Sequence, residues 1–267
     1  MNHPLHHILE KHLAPDAFRW LEGKLASLDE DFKVRTFYLA FGACPRFVGK
    51  EELNFTESEL SALNVAYPNF SATNWSADQL ARVLFMTALP AQDNVRILDD
   101  LFGTADYREL IALYKGLYFL PNAADFVPRT REGLRTNMVG VFDAIALENP
   151  FPARYLSEDA WNHMVLKAMF MDRPMHRIYR IEERKNAKLA DIFLDYADER
   201  RSAHRPVSPE LWRFIDGFLS SRARAALELT ARTGTPLEQT AARKALDPAA
   251  PAPSWNEIGR QATRLTN

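Results

Sequence analysis

The chain has 267 residues, 47% of them hydrophobic and 25% charged, with a formal net charge of −2 at neutral pH. That is enough apolar material for a core without covalent staples, while the near-balanced charge disfavours a nucleic acid or an anionic membrane surface as partner. The single cysteine, Cys44, excludes an internal disulfide and suits a reducing compartment; in its apolar run it reads as a small buried hydrophobe.

Taken in chain order, residues 1–12 lack the apolar stretch of a signal peptide, and no window approaches the ~20 apolar residues of a membrane span. A cytoplasmic location is expected. His3 and His7 stand four apart, a spacing that can place two metal ligands on one helix face. A terminal segment is a poor frame for a metal, however, and none is expected. Glycine occurs only 10 times, so hairpin turn chemistry is scarce. Helix-start signals are plentiful instead. Capping boxes are legible at Thr56/Glu59, Ser76/Gln79, Thr235/Glu238 and Ser254/Glu257, where each side chain satisfies a free backbone N–H of the other residue. Ser208-Pro209 and Thr235-Pro236 add a cap followed by proline at the first helical position.

Between these signals apolar residues recur every three or four positions. Leu80, Val83 and Leu84, then Leu110, Leu113 and Tyr114, begin the pattern. Leu134, Met138, Val141, Phe142 and Ile145 form one later stripe; Trp161, Met164, Val165 and Ala168 a second; Leu189, Ile192, Phe193 and Tyr196 a third. The reading is all-α, with roughly ten paired amphipathic helices in an irregular α-solenoid or multi-helix bundle. No repeat of fixed period is present. Asn149-Pro150-Phe151-Pro152 cannot continue a helix and should form an ordered corner. Residues 1–246 read as a single helical domain with its polar motifs concentrated in 129–213. An Ala/Pro-rich linker at 247–253 and a short, mobile C-terminal helix within 254–267 follow.

The search for chemistry is largely negative. None of the seven histidines follows a Glu by three positions, as di-iron bundles require. His-Glu-x-x-His, Gly-x-Gly and Gly-x-Ser-x-Gly are all missing. No cofactor is expected. What remains is polar clustering. Arg131 and Arg135, four apart, form either a clamp for a carboxylate or phosphate or a solvated face. Asn137 borders the Leu134 stripe, where an amide needs partners; it either ties a connector to the core or faces a pocket. Asn162 flanks Val165 and Met169 in the same way, and His163 and Lys167 share a face one turn apart. Asp191, Asp195, Asp198 and Glu199 gather four carboxylates on one side of a helix. Arg184, Lys185, Lys188, Arg200 and Arg201 are near enough to interleave, which favours a salt-bridged solvated face over a cation site.

On these same residues the sequence resembles the EboA-type proteins of bacterial metabolite-traffic gene clusters. The resemblance is carried by Arg131-Glu132-Gly133, Arg135-Thr136-Asn137-Met138, Val141 to Ala146, Asn149 to Pro152 and Trp161 to Ala168, then Asp195-Tyr196-Ala197, Glu199-Arg200 and Pro209 to Arg213. These segments span about a third of the chain; the N-terminal third and the tail after Ser220 match only as generic helices. The resemblance implies a helical protein acting beside a UbiA-like membrane prenyltransferase, a TatD-like hydrolase and sugar-isomerase-like proteins in moving a secondary metabolite or its precursor. Two positions depart from the family pattern, His163 where Gln is common and Asp198 where His is common.

The leading functional expectation is therefore a non-enzymatic accessory or carrier protein. Its binding residues would be Arg131, Arg135, Asn137, Asn162, His163, Lys167, Asp195, Glu199 and Arg200, taking a small metabolite or a partner protein. The rivals are an enzyme using Lys167, His163 or Asp195 as acid/base groups, and a structural scaffold.

Overall fold

A computed structural model describes residues 3–247, 249 and 251–266. Among these residues the regular elements are fifteen α-helices and four short 3-10 segments, with one isolated bridge between Glu52 and Ser76. The fold is all-α, as the sequence implies, but in more and shorter helices than expected. No helix among the described residues is long and apolar enough to cross a membrane. The chain divides into two compact units, Met1–Leu156 and Ser157–Asn267, a division that the reading of 1–246 as one domain does not anticipate.

Unit 1 holds α1 (Pro4–His12), α2 (Pro15–Glu30), α3 (Val34–Phe47), α4 (Glu57–Ala66), α5 (Ala77–Thr87), α6 (Asn94–Phe102), α7 (Tyr107–Gly116), α8 (Val127–Gly133), α9 (Val139–Ala146) and α10 (Pro150–Tyr155). Its centre is α5, which packs against α1, α3 and α7 and is buried from Ala77 to Met86 at every residue except Gln79. The strong contacts of α3 with α5, α5 with α7 and α7 with α9 link next-but-one helices, and α1 returns to α5, so unit 1 is a multi-helix arrangement around one buried helix. A helix enclosed on all sides has no wet face for its charges, so Asp78 and Arg82 must pair inside. Arg82 Nη1 donates to Asp78 at 2.7 Å and Nε to the Phe41 carbonyl at 3.1 Å; Arg108 and Ser76 donate to the other carboxylate oxygen at 2.8 and 2.6 Å. Cys44 is buried as expected, and burial pushes its thiol above the ordinary range.

The Leu134–Ile145 stripe is not one helix. α8 stops at Gly133, Leu134 to Met138 form a turn, and α9 starts at Val139. The Thr136 hydroxyl accepts the Met138 N–H at 3.1 Å, a local bond that competes with continuing the helix. Leu134 is buried while Met138 is exposed. The Asn149–Pro152 corner is ordered: Asn149 accepts from Phe151 N and donates to the Ala144 carbonyl, both at 2.9 Å. Beyond ending α9 it starts α10, whose first turn holds both prolines, positions where a missing N–H costs nothing.

Unit 2 holds α11 (Glu158–Phe170), α12 (Ala187–Ser202), a 3-10 segment Pro209–Phe214, α13 (Ser221–Thr233), α14 (Pro236–Leu246) and α15 (Trp255–Thr266). The 3-10 segment is its core: Leu211, Trp212 and Phe214 are fully buried, and it packs against α12, α14 and α15. Phe193 of α12 stacks on Phe214 at 4.4 Å. The Trp161, Met164, Val165 and Ala168 stripe is wholly buried along α11. Of the 247–253 linker, residues 248 and 250 lie outside the described residues. The C-terminal helix is docked, contrary to the expected mobile tail. Trp255 and Ile258, three apart, are both buried, and the Trp255 indole donates to Asp216 at 2.7 Å.

Candidate functional site

Unit 2 contains a pocket of about 230 Å³, below the ~300–1,000 Å³ of drug-sized ligand sites and therefore suited to a small metabolite or to one end of a larger one. Two helix ends shape it. At the end of α11, Asp172 takes a left-handed backbone (φ 52°) and Arg173 N returns to the Ala168 carbonyl at 2.9 Å, the 6→1 closure that turns a chain sharply off a helix. α12 ends in the same way, with His204 at φ 53° and Arg205 N bonded to the Arg200 carbonyl at 2.8 Å. The first closure aims Arg173 and Pro174 at the cavity, and the second brings round Pro206 to Pro209 as a proline-stiffened wall. Met169, Tyr196, Val207 and Leu237 supply apolar lining.

Arg200 and Tyr196 are the polar groups best placed to meet a guest. Arg200 spends only its Nε, on the Pro206 carbonyl at 2.9 Å, and its guanidinium lies 5.9 Å from the centre of the Tyr196 ring. Its terminal nitrogens and the Tyr196 hydroxyl make no hydrogen bond to another described residue. Burial pushes the Tyr196 phenol above its ordinary value, so it stays a donor at neutral pH. The pocket's acids are differently placed. Glu210, only 3% exposed, accepts from Arg213 Nη1 at 2.9 Å and from Met175 N at 3.2 Å. Arg213, with no exposed surface, also donates to Glu182 at 2.8 Å and to Asn256 at 3.0 Å. Glu238 caps α14 by accepting from Thr235 N at 2.7 Å, and Asp172 is exposed. α15 comes close enough to complete the wall because residue 259 is glycine: a Cβ there would fall 2.3 Å from Glu210 Oε1.

The sequence-derived site residues fall in both units. In unit 1, Arg131, Arg135 and Asn137 are all exposed. Arg131 belongs to α8 and Arg135 to the turn after it, so helical four-residue spacing does not hold the two as a clamp. Arg135 pairs instead with Glu132 at 3.2 Å. Asn137 does not border the core, because the helix assumed to carry it is interrupted. In unit 2, Asn162 is buried in a reciprocal amide pair with Asn186, at 2.8 and 3.1 Å, and Asn186 caps α12; its bonds fasten α11 to α12. His163 is exposed, while half-burial pushes the Lys167 ammonium below its ordinary value. The acidic face is salt-bridged, but by a cation distant in sequence: Arg222 of α13 reaches Asp195 at 2.7 Å and Asp198 at 2.6 Å. Glu199 is exposed, 3.9 Å from Arg205. Of the nine residues, Arg200 alone lines this pocket.

Sequence reasoning missed Arg173 as a pocket residue and took Tyr196 for core. It also missed the Asp78–Arg82 pair, although two opposite charges four apart inside an otherwise apolar helix are a legible signal. His3 is engaged elsewhere than in a pair with His7: it caps α1 and meets the Tyr67 hydroxyl at 2.8 Å. In unit 1, a smaller cavity of about 30 Å³ beneath Phe70, Trp75 and Phe119 has room for about one water.

The family model for the metabolite traffic protein EboA matches residues 1–216, and the chain belongs to that family. The match takes in the N-terminal third, which by its motifs alone looks generic. No curated protein and no solved structure matches the chain.

Proposed function

We propose that this member of the metabolite traffic family is a non-enzymatic carrier or accessory protein that holds a small metabolite in the unit 2 pocket. The observation that carries the reading is the pair of unspent donors, Arg200 and Tyr196, on the wall of a cavity of mixed lining whose buried acid, Glu210, is already held by Arg213. Guanidinium and phenol hydroxyl together suit an oxygen-rich or anionic group, while Met169, Leu237 and the Tyr196 ring suit a flat or apolar body. The guest is then a small molecule with one polar oxygen-bearing end. The protein would work in the cytoplasm beside other proteins of its pathway, including a membrane prenyltransferase-like component.

The acid/base reading has less support. Asp195 is tied to Arg222, and His163 stands exposed outside the pocket lining. The scaffold reading fits Asn162, whose amide is spent on Asn186, but leaves the pocket donors without a role. Native mass spectrometry of gently purified protein tests the proposal. The expected result is a stoichiometric small molecule on the wild type that is lost from Arg200→Ala and Tyr196→Phe at unchanged helicity. Ligand-free wild-type protein, or a ligand retained by both variants, overturns it.

A further inference from the structure

We propose that α1 and α2 form a divalent-metal site in unit 1, with His6, His7 and Glu10 as ligands and Glu22 as the group that orients His6. One ligand atom from each of His6, His7 and Glu10 lies within 4.8 Å of the others. A tetrahedral zinc bound at 2.0–2.2 Å sets its ligand atoms about 3.4 Å apart; His7 Nδ1 and Glu10 Oε2 already lie 3.6 Å from one another, so the shell closes by bringing this exposed pair and His6 together by about an ångström. The helix itself gathers the trio. Side chains lean toward the N-terminus, so Glu10 reaches back over the two positions three and four residues before it.

The second observation is His6. It is 8% exposed, packed edge-on against Phe18 at 5.1 Å, and its Nδ1 is buried with no hydrogen-bond partner. Its other ring nitrogen, Nε2, faces Glu22 Oε1 at 3.5 Å. Metal-binding histidines typically donate the second ring N–H to a carboxylate, which fixes the tautomer and strengthens the ligating nitrogen. With the proton on Nε2 toward Glu22, the unpartnered Nδ1 presents a lone pair, as a ligand must. Two imidazoles and one carboxylate suit zinc or a similar first-row ion, and three protein ligands leave a fourth position open. The site lies wholly in α1 and α2, with no residue of the pocket proposed above, so either can fail alone.

The test is calorimetric titration of zinc into the full chain free of affinity-tag histidines. One saturable equivalent is expected. His7→Ala and Glu10→Gln alter exposed residues and should leave metal-free melting unchanged while weakening zinc about tenfold or more. Glu22→Gln, which keeps all three ligands, should weaken it by about 10–100-fold, the typical effect of removing an orienting partner. Absence of saturable binding, or binding indifferent to His7→Ala and Glu10→Gln, overturns the site. Unchanged affinity in Glu22→Gln overturns the orienting role.

Discussion

Both units bury an arginine against a carboxylate one helical turn away, and they put the pair to different ends. In unit 1, Asp78 and Arg82 are sealed in the middle of α5, and their further contacts go to Arg108, Ser76, the Phe41 carbonyl and Glu109, all in the protein interior or at its edge. In unit 2, Glu210 is held by Arg213 just as firmly, yet it lines the pocket. A buried ion pair is thus weak evidence of function by itself. What separates a brace from a site wall is whether the pair borders space that a guest can enter.

The largest expected effect breaks the unit 1 brace. Asp78→Ala leaves Arg82 enclosed with Glu109, 3.6 Å away, as its remaining counter-charge, so the loss should lie near the low end, about 3 kcal/mol, of the cost of removing one partner of a buried pair. Chemical denaturation followed by circular dichroism should register that loss, with the unit 2 ligand still bound by whatever protein remains folded. A cost below about 1 kcal/mol would mean that Glu109 takes over the pairing of Arg82 and that Asp78 is no brace.

A smaller effect is expected where the second pair meets the pocket. Gly259→Ala places a methyl group against Glu210 Oε1, and overpacking of this kind typically costs about 1–3 kcal/mol. Because Glu210 is a wall residue, ligand affinity should fall along with stability. Loss of stability without loss of affinity would place the Glu210–Arg213 pair with Asp78–Arg82, as bracing only.

Smaller still in stability, and larger in binding, is Arg200→Ala. Substitutions at partly exposed positions usually change stability by less than about 0.5 kcal/mol, and only Nε of Arg200 is bonded to the protein, at Pro206. Melting should stay within a degree or two while the bound metabolite disappears. A drop of several degrees would show that Arg200 holds the 206–209 wall in place and meets no guest.

The sequence made the helix class, the capping boxes and the Trp161 stripe legible because each depends on neighbours within four residues. Thr56/Glu59 and Thr235/Glu238 form as read. It could not show that Arg222 would bridge Asp195 and Asp198, a contact over 24 residues in one case and 27 in the other, nor that the loop after Met171 would bring Arg173 to a cavity. The mistaken Leu134–Ile145 helix has a local cause: the apolar spacing is right for a helix, but the Thr136 hydroxyl and the turn beginning at Leu134 override it. Asn137 was misplaced as a consequence. Of the candidate site, therefore, the sequence delivered Arg200 by motif and the remainder only as helices that would have to meet.

The smallest structural effect is expected in the exposed unit 1 motif, and it separates recognition from packing there. Arg135 is exposed and salt-bridged only to Glu132, three residues away, and Asn137 sits in a solvent-facing turn. An exposed ion pair of this kind contributes about 0–1 kcal/mol. Arg135→Ala and Asn137→Ala should therefore melt with the wild type, whereas Asn162→Ala, which removes both side-chain hydrogen bonds between buried Asn162 and half-buried Asn186, should lose roughly 1–3 kcal/mol. Measuring metabolite export in the producing cell for all three then reads function against fold. Export lost in the two surface variants at normal protein levels would make the Arg131–Asn137 segment a recognition surface for a pathway partner. If export falls only in Asn162→Ala, and only in proportion to soluble protein, the unit 1 motif is a helix terminus and nothing more, and recognition belongs to unit 2 alone.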